Sequence, residues 1–216
     1  MNILIVSATD LEVVDIKKEF ESVFPTPSEH QYCFSTLGIG IAASTFTLTK
    51  ELLTTPVDFI IQIGIAGSFS QKLPIGTTVW VTNDQFSDLG AITDDGFKSL
   101  KSLNLQDSDF EVSFLPQLIK SIPLPNNLKK VRGITSDTIH NNSFRIEELQ
   151  LSINPDIETM EGAAIMHVCN SLNIPNIQVR SISNFVAPRE TNEWNLEIAL
   201  DSLKTWLFEY INRLET

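Results

Sequence analysis

Short, continuously apolar runs alternate with longer amphipathic segments along this chain. An apolar run of four to eight residues is typical of a strand buried on both faces, whereas apolar residues at helical spacing indicate a helix. The pattern predicts strands at 3–6, 32–37, 59–63, 77–82, 131–134 and 177–182. It predicts helices at 9–22, 41–53, 161–172 and 194–214. Strands that alternate with helices in this way predict an α/β fold with a largely parallel central sheet.

The segment 85–125 lacks this regular pattern and carries turn signals instead, at Asp88-Leu-Gly, Asp94-Asp-Gly96 and Pro123-Leu-Pro125. The chain shows no internal repeat, no low-complexity segment and no shift in composition that would indicate a linker. Its 216 residues suit one sizeable core. We therefore expect a single domain that spans residues 1–216.

Charge and composition exclude several partners. The chain has 15 Lys and Arg against 27 Asp and Glu, a net charge of -12, which repels phosphate backbones and anionic headgroups. The longest apolar stretch, 57–69, is interrupted by Asp58 and Gln62 and cannot span a bilayer. Cys33 and Cys169 lie in apolar segments without metal-ligand spacing, which is typical of reduced core residues. With no signal-peptide pattern at its start, we expect a cytoplasmic protein that binds neither nucleic acid nor membrane.

Polar side chains follow the ends of several predicted strands. In open parallel sheets the ligand crevice lies beyond the carboxyl ends of the strands. An Asn at such an end, like Asn184, can hold one edge of a flat heterocycle through a donor and an acceptor at once. The polar segments at these ends are 7–12, 66–67, 135–142 and 180–189. Their convergence predicts a site that cleaves a nucleoside.

Glu12 allows two interpretations. The sequence Thr9-x-x-Glu12 matches a capping box, in which the Glu reaches back to the backbone at the start of a helix. A carboxylate at the rim of the crevice is also suited to act as a general base that activates water. The sequence alone leaves both interpretations open.

Glu161 begins a predicted helix, where the helix dipole favours a carboxylate. The following Gly162-Ala-Ala164 forms a small-residue face that lets the helix start pack closely. We therefore expect Glu161 to be drawn inward, where it needs polar partners. The vicinal hydroxyls of a ribose supply two donors for its two oxygens.

Signals for other chemistry are weak. Gly38-x-Gly40 and Gly64-x-x-Gly67 follow strands, but neither is part of a dinucleotide-binding or P-loop motif. The three histidines have no metal-ligand spacing, and no pattern of a serine hydrolase occurs. We therefore expect neither a metal nor a cofactor.

These features resemble the nucleoside phosphorylase/nucleosidase family over nearly the whole chain. The most specific part is Met160-Glu161 followed at this spacing by Arg180-Ser-Ile-Ser-Asn184. The resemblance implies an α/β domain around a mixed, twisted, partly barrel-like sheet. It also implies a small nucleoside as the substrate and a homodimer or higher homo-oligomer.

The resemblance also implies roles for individual residues. Glu12 positions and deprotonates the attacking water, Glu161 binds the 2′- and 3′-hydroxyls, and Asn184 holds the departing purine. Further substrate-binding positions are Ala66, Gly67, Ile139, Met160, Arg180 and Ser183. Ile139 stands where relatives often have a Phe that packs on the base, and Arg180 has either a substrate-binding or a structural role.

Asn184 bears on the base that is recognised. Adenine-specific nucleosidases of the family have Asp there, whereas the Asn amide can donate to N7 or O6 of a 6-oxopurine. This favours a subgroup that hydrolyses a 6-oxopurine nucleoside with an anionic aryl group, which we expect Arg189 and Trp194 to bind. Each has a plainer interpretation. Arg189 is then a solvated loop arginine, and Trp194 anchors the last helix in the core.

Three alternatives remain. They are an adenine-nucleoside nucleosidase, a phosphorylase and a catalytically silent nucleoside-binding protein. Phosphorolysis requires a cationic phosphate cradle, and no arginine-bearing glycine loop is visible around residues 7–12 or 38–42.

Overall fold

The computed structural model describes residues 1–24, 28–119, 122–188 and 194–216. The strands are β1 (Asn2–Ser7), β2 (Gln31–Thr36), β3 (Phe59–Ser68), β4 (Thr78–Phe86), β5 (Gly90–Thr93), β6 (Gly96–Ser99), β7 (Glu111–Ser113), β8 (Lys129–Thr135), β9 (Ile157–Thr159) and β10 (Asn176–Phe185). The helices are α1 (Val14–Val23), α2 (Ile41–Leu52), α3 (Ser143–Ser152), α4 (Gly162–Ser171) and α5 (Leu196–Leu214). Two short 3-10 helices lie at Asp10–Glu12 and Pro116–Leu118.

The main sheet has the strand order β10-β4-β8-β9-β3-β1-β2, and β10 also pairs with β3. Five strands therefore close into a ring, while β1 and β2 continue the sheet outward from β3. The pairs β1–β2, β1–β3, β3–β10, β4–β8 and β8–β9 are parallel. The pairs β4–β10, β3–β9 and β4–β7 are antiparallel. This arrangement confirms the predicted mixed α/β sheet with a barrel-like part.

Helices cover both sides of the sheet and supply its core. On one side, residues of α1 and α5 pack on β1, β3 and β10, with Ile61 and Leu207 fully buried. On the other side, α2 and α4 pack on β1 and β3 through Leu48 and Ile165. Truncating such a buried side chain to Ala costs about 2–5 kcal/mol. This packing fixes the strand ends that carry the polar side chains.

The largest departures from the sequence-based elements occur where pairing extends a strand. The Gly64–Gly67 segment does not end β3, because its pairing with β10 and then β9 continues to Ser68.

Helix α3 was not predicted, since only Ile146 and Leu149 are buried along it. Cys33 is exposed on β2, which is the edge strand, so its expected place in the core was wrong. Among the described residues, no helix is long and apolar enough to cross a membrane.

Candidate active site

A cavity of about 280 Å³ opens where β1, β3, β9 and β10 end and α4 begins. Nine of the site residues predicted from the sequence line it: Glu12, Ala66, Gly67, Ile139, Met160, Glu161, Ser183, Asn184 and Trp194. Distant segments of the chain meet here because neighbouring strands bring their ends together at one edge of the sheet. The cavity therefore joins the two acidic side chains and the amide in one place.

Of the predicted site residues that the structure describes, only Arg180 does not line this cavity. Arg180 is 1% exposed and lies within the sheet rather than at the cavity surface. Arg189 lies outside the described residues.

The carboxylate of Glu12 is held by four donors. Its Oε2 accepts from the backbone N–H groups of Ala8 (3.1 Å) and Thr9 (3.0 Å) and from the Thr9 hydroxyl (3.2 Å). Its Oε1 accepts from the backbone N–H of Ile65 (3.1 Å). The capping box is therefore formed, and the same carboxylate also lines the cavity. The two interpretations of Glu12 are compatible, because capping fixes the orientation of the carboxylate at the rim.

Glu161 occupies the position just before α4 and is 4% exposed. The backbone N–H of Gly40 donates to its Oε1 at 2.9 Å, and Gly40 has a positive φ of 89° that suits a glycine. Within the described part of the chain, Oε2 of Glu161 has no hydrogen bond. Burial raises the pKa of Glu161, and the positive charge of Arg180 and the Gly40 N–H oppose this rise. One oxygen is thus anchored, and the other can meet a ligand.

The amide of Asn184 has a defined orientation. Its Nδ2 donates to the carbonyl oxygen of Phe185 at 3.1 Å, and its Oδ1 accepts from the hydroxyl of Ser183 at 2.8 Å. Because a carbonyl oxygen can only accept, the NH2 group must face Phe185. The second N–H of Nδ2 remains for a ligand. A Cβ on the adjacent Gly67 would lie 3.2 Å from Nδ2, so the glycine leaves room for this amide.

A buried polar network lies beneath the cavity. Arg180 Nε donates to Gln178 Oε1 at 3.2 Å, and Gln178 Nε2 donates to Asp84 Oδ2 at 3.0 Å. The hydroxyl of Thr135 donates to Asp84 Oδ1 at 2.9 Å. A Cβ at Gly64 would collide with both Nη1 of Arg180 and Oε1 of Glu12, so these two groups share one small space. The cation therefore offsets the negative charge of the buried carboxylates around it.

Burial raises the pKa of Asp84 to about 6, against the hydrogen bonds and the charge of Arg180 that lower it. The folded state therefore retains this proton to a higher pH than the unfolded chain does. As the pH rises from about 4 to about 6, the stability contributed by Asp84 falls, by about 3 kcal/mol in all. We expect Asp84→Asn to lack this loss. Urea unfolding of both proteins at pH 4, 5, 6 and 7 measures the difference, and parallel stability curves would contradict it.

The cavity also has an apolar rim, formed by two predicted site residues and two that were not predicted to be there. Ile139 is 50% and Trp194 47% exposed, while Leu11 and Ile39 are 57% and 59% exposed at the same opening. Large apolar side chains left in water at the mouth of a cavity are typical of a surface that a ligand covers. Glu158, two residues before Met160, also lines the cavity, although no role was predicted for it from the sequence. Within the described ranges, no group of three or more His, Cys, Asp or Glu side chains could hold a metal ion.

The fold and this cavity place the protein among α/β proteins that bind a ligand at the strand ends of a partly closed sheet. A model of the phosphorylase superfamily matches residues 2–212. The chain therefore belongs to this superfamily, which confirms the family resemblance of the sequence.

Individual relatives narrow the comparison. A futalosine hydrolase of Streptomyces coelicolor is 28% identical over 152 residues, which are 68% of this chain and 63% of that protein. A 5′-methylthioadenosine/S-adenosylhomocysteine nucleosidase of Buchnera aphidicola is 29% identical over 153 residues, 68% of this chain and 59% of that protein. The chain thus aligns with less than two thirds of the length of either relative. The structure of futalosine hydrolase from Helicobacter pylori matches the fold with a TM-score of 0.78, at 20% identity, and covers 99% of this chain and 98% of that one.

Proposed function

We propose that this protein hydrolyses the N-glycosidic bond of a purine nucleoside with a 6-oxo base, and that the nucleoside is futalosine. The observation that carries the proposal is the placement of Glu12, Glu161 and Asn184 on the wall of one cavity. Glu12 presents a carboxylate for the attacking water, Glu161 a carboxylate for the ribose hydroxyls, and Asn184 an amide for the purine base. The similar Streptomyces coelicolor protein, named futalosine hydrolase, supports the choice of substrate.

In the proposed reaction, the bond between C1′ and N9 breaks and the oxygen of a water molecule bonds to C1′. Glu12 orients this water and takes its proton, and the donors on both of its oxygens hold the carboxylate in place for this role. Glu161 accepts hydrogen bonds from the ribose hydroxyls and stabilises the positive charge that develops on the sugar. Met160 lines the same cavity and packs on the sugar.

Asn184 holds the leaving purine. The N–H of Nδ2 that remains donates to N7 or O6, and this draws electron density onto the base as it departs. A site that pairs with O6 leaves a buried donor facing the amino group of adenine, which disfavours adenine nucleosides. The departing purine anion takes up a proton from solvent, and Glu12 releases to solvent the proton that it took from water. The products are hypoxanthine and dehypoxanthine futalosine, and the reaction is a step on the futalosine route to menaquinone.

The far end of futalosine carries a carboxyphenyl group. Trp194 and the other apolar side chains of the rim cover its ring, and Arg189 pairs with its carboxylate. We propose a cytoplasmic homo-oligomer as the active form.

Arg189→Ala is expected to lower kcat/KM for futalosine about 10- to 100-fold, because a charge-assisted hydrogen bond contributes about 1.5–3 kcal/mol. Inosine has the same base and ribose but lacks the carboxyphenyl group, so its kcat/KM should not change. Steady-state kinetics with both substrates separates the two contributions. An equal loss for both, or no loss for futalosine, contradicts this role of Arg189.

The second candidate is a nucleosidase for methylthioadenosine or S-adenosylhomocysteine. It is favoured by the Buchnera aphidicola relative, which has a similar identity, and by an apolar rim that also suits an alkylthio group. A purine nucleoside phosphorylase is a further alternative, although no lysine or arginine among the described residues lines the cavity, as the binding of phosphate would require. Reaction in phosphate-free buffer tests hydrolysis directly: free sugar indicates attack by water. A rate that requires phosphate, with a sugar 1-phosphate as product, indicates a phosphorylase.

A further inference from the structure

Glu158 is a buried acidic residue on the wall of the cavity, and the proposed reaction does not use it. It lies on β9 and is 7% exposed. Its Oε1 accepts from the backbone N–H of His140 at 3.2 Å, and its Oε2 pairs with Nδ1 of the same histidine. His140 itself is 8% exposed. One residue thus holds both oxygens of the carboxylate, and each oxygen retains a lone pair for another donor.

The sheet register places Glu158 in line with the residue that holds the base. Gly67 lies opposite Glu158 on β9 and also opposite Asn184 on β10. Neighbouring strands are about 4.8 Å apart, so the backbones at Glu158 and Asn184 are separated by roughly 9.5 Å. Between them Gly67 has no side chain. Two polar side chains therefore flank Gly67, and all three residues line the same cavity.

A flat base that lies in the cavity beside Gly67 meets an amide on one side and a carboxylate on the other. Hypoxanthine has acceptors at N7 and O6 along one edge and an N–H donor at N1 next to them. Adenine has an acceptor at N1 instead. A carboxylate can only accept, so it pairs with the N1–H of hypoxanthine and is left opposed to the lone pair of adenine.

We propose that Glu158 is a specificity-determining residue that accepts a hydrogen bond from N1–H of a 6-oxopurine and thereby rejects adenine. The proposal rests on the proposed function, since it assumes that Asn184 faces the N7/O6 edge of the base. His140 is its positioning residue, because it fixes the carboxylate toward the base. The pair recognises the 6-oxo base at a second atom, independently of Asn184.

The test compares the wild-type protein with Glu158→Gln, which keeps the size of the side chain and removes its charge. Steady-state kinetics gives kcat/KM for inosine and for adenosine, and the readout is the ratio of the two values. We expect the ratio to fall about 10- to 100-fold in the variant, because a charge-assisted hydrogen bond to inosine is lost while the Gln amide can donate to N1 of adenine. The matched control is Glu147→Gln, exposed on α3 and outside the cavity, which should leave the ratio unchanged. A ratio within twofold of wild type in Glu158→Gln overturns the proposal, since a purely structural pair with His140 would affect both substrates equally.

Binding of the free bases separates this proposal from the proposed reaction. If the wild-type protein cleaves no nucleoside, the proposed function fails, and calorimetry with hypoxanthine and adenine then decides on Glu158. The role is supported if the wild-type protein binds hypoxanthine more tightly than adenine and if Glu158→Gln binds hypoxanthine at least tenfold more weakly than the wild type does. Equal affinities in the two proteins, or no binding of either base, overturn it.

If Glu158→Gln does not fold, the role of Glu158 can still be tested with the wild-type protein alone. Hypoxanthine and 1-methylhypoxanthine share the 6-oxo group, but the second has no N1–H. We expect it to bind at least tenfold more weakly, and equal binding of the two bases overturns the role of Glu158.

Discussion

Replacing Glu12 with Gln is expected to lower kcat for nucleoside hydrolysis about 10²- to 10⁴-fold, the usual contribution of a general base. The reason lies in the setting of this carboxylate. Both of its oxygens accept hydrogen bonds, from the Ala8, Thr9 and Ile65 backbone and the Thr9 hydroxyl. The amide of Gln can accept no proton from water, and its NH2 group would face one of these donors.

The same donors predict a second effect of Glu12→Gln. A buried N–H that loses its acceptor costs about 1–3 kcal/mol, so the variant should also unfold at a lower temperature. Kinetics is therefore measured well below its melting temperature and normalised to folded protein. The matched control is Glu21→Gln, an exposed carboxylate on α1, which should retain wild-type activity. Activity of folded Glu12→Gln within threefold of wild type would contradict the role of Glu12 as the base.

Glu161→Gln is expected to lower kcat/KM for inosine about 10²- to 10³-fold, comparable with the loss of one preorganised electrostatic contact in a transition state. One oxygen accepts from the Gly40 N–H, and the other has no hydrogen bond within the described residues, so in the proposed reaction it accepts from the ribose. Because the variant keeps the shape of the side chain, the loss reports on charge. It should appear mainly in kcat, since positive charge develops on the sugar only in the transition state.

A substrate without the 2′-hydroxyl makes this test specific. In the wild-type protein, 2′-deoxyinosine should react more slowly than inosine if Glu161 binds that hydroxyl. In Glu161→Gln the difference between the two substrates should shrink, because the partner of the hydroxyl has lost its charge. A preference for inosine that is unchanged in the variant would show that Glu161 does not contact the ribose at this position.

The sequence predicted the residues whose position follows from a single strand end. Asn184 and Glu161 each stand directly at the end of an apolar run or the start of a small-residue helix, and local pattern suffices to place them. The fold class followed in the same way from the alternation of strands and helices. The resemblance to a family added the closure of the sheet, which local pattern does not contain.

The features that were missed depend on pairing between distant segments. Glu158 becomes a neighbour of Asn184 only through Gly67, across three strands that lie far apart in the chain. Arg180 is close to the predicted site in sequence. Because β10 continues to Phe185, however, Arg180 lies within the sheet, where its Nε donates a hydrogen bond to Gln178. Helix α3 has too few buried side chains to give a helical pattern.

Hypoxanthine release from futalosine in phosphate-free buffer, measured beside inosine and methylthioadenosine, tests the central claim most directly. We expect the highest kcat/KM for futalosine, a lower value for inosine and the lowest for methylthioadenosine. The reason is that Asn184 and Glu158 favour a 6-oxo base, and that the apolar rim at the mouth of the cavity covers the carboxyphenyl ring. Adenine release from methylthioadenosine that exceeds hypoxanthine release from futalosine would contradict the account and assign the cavity to adenine nucleosides.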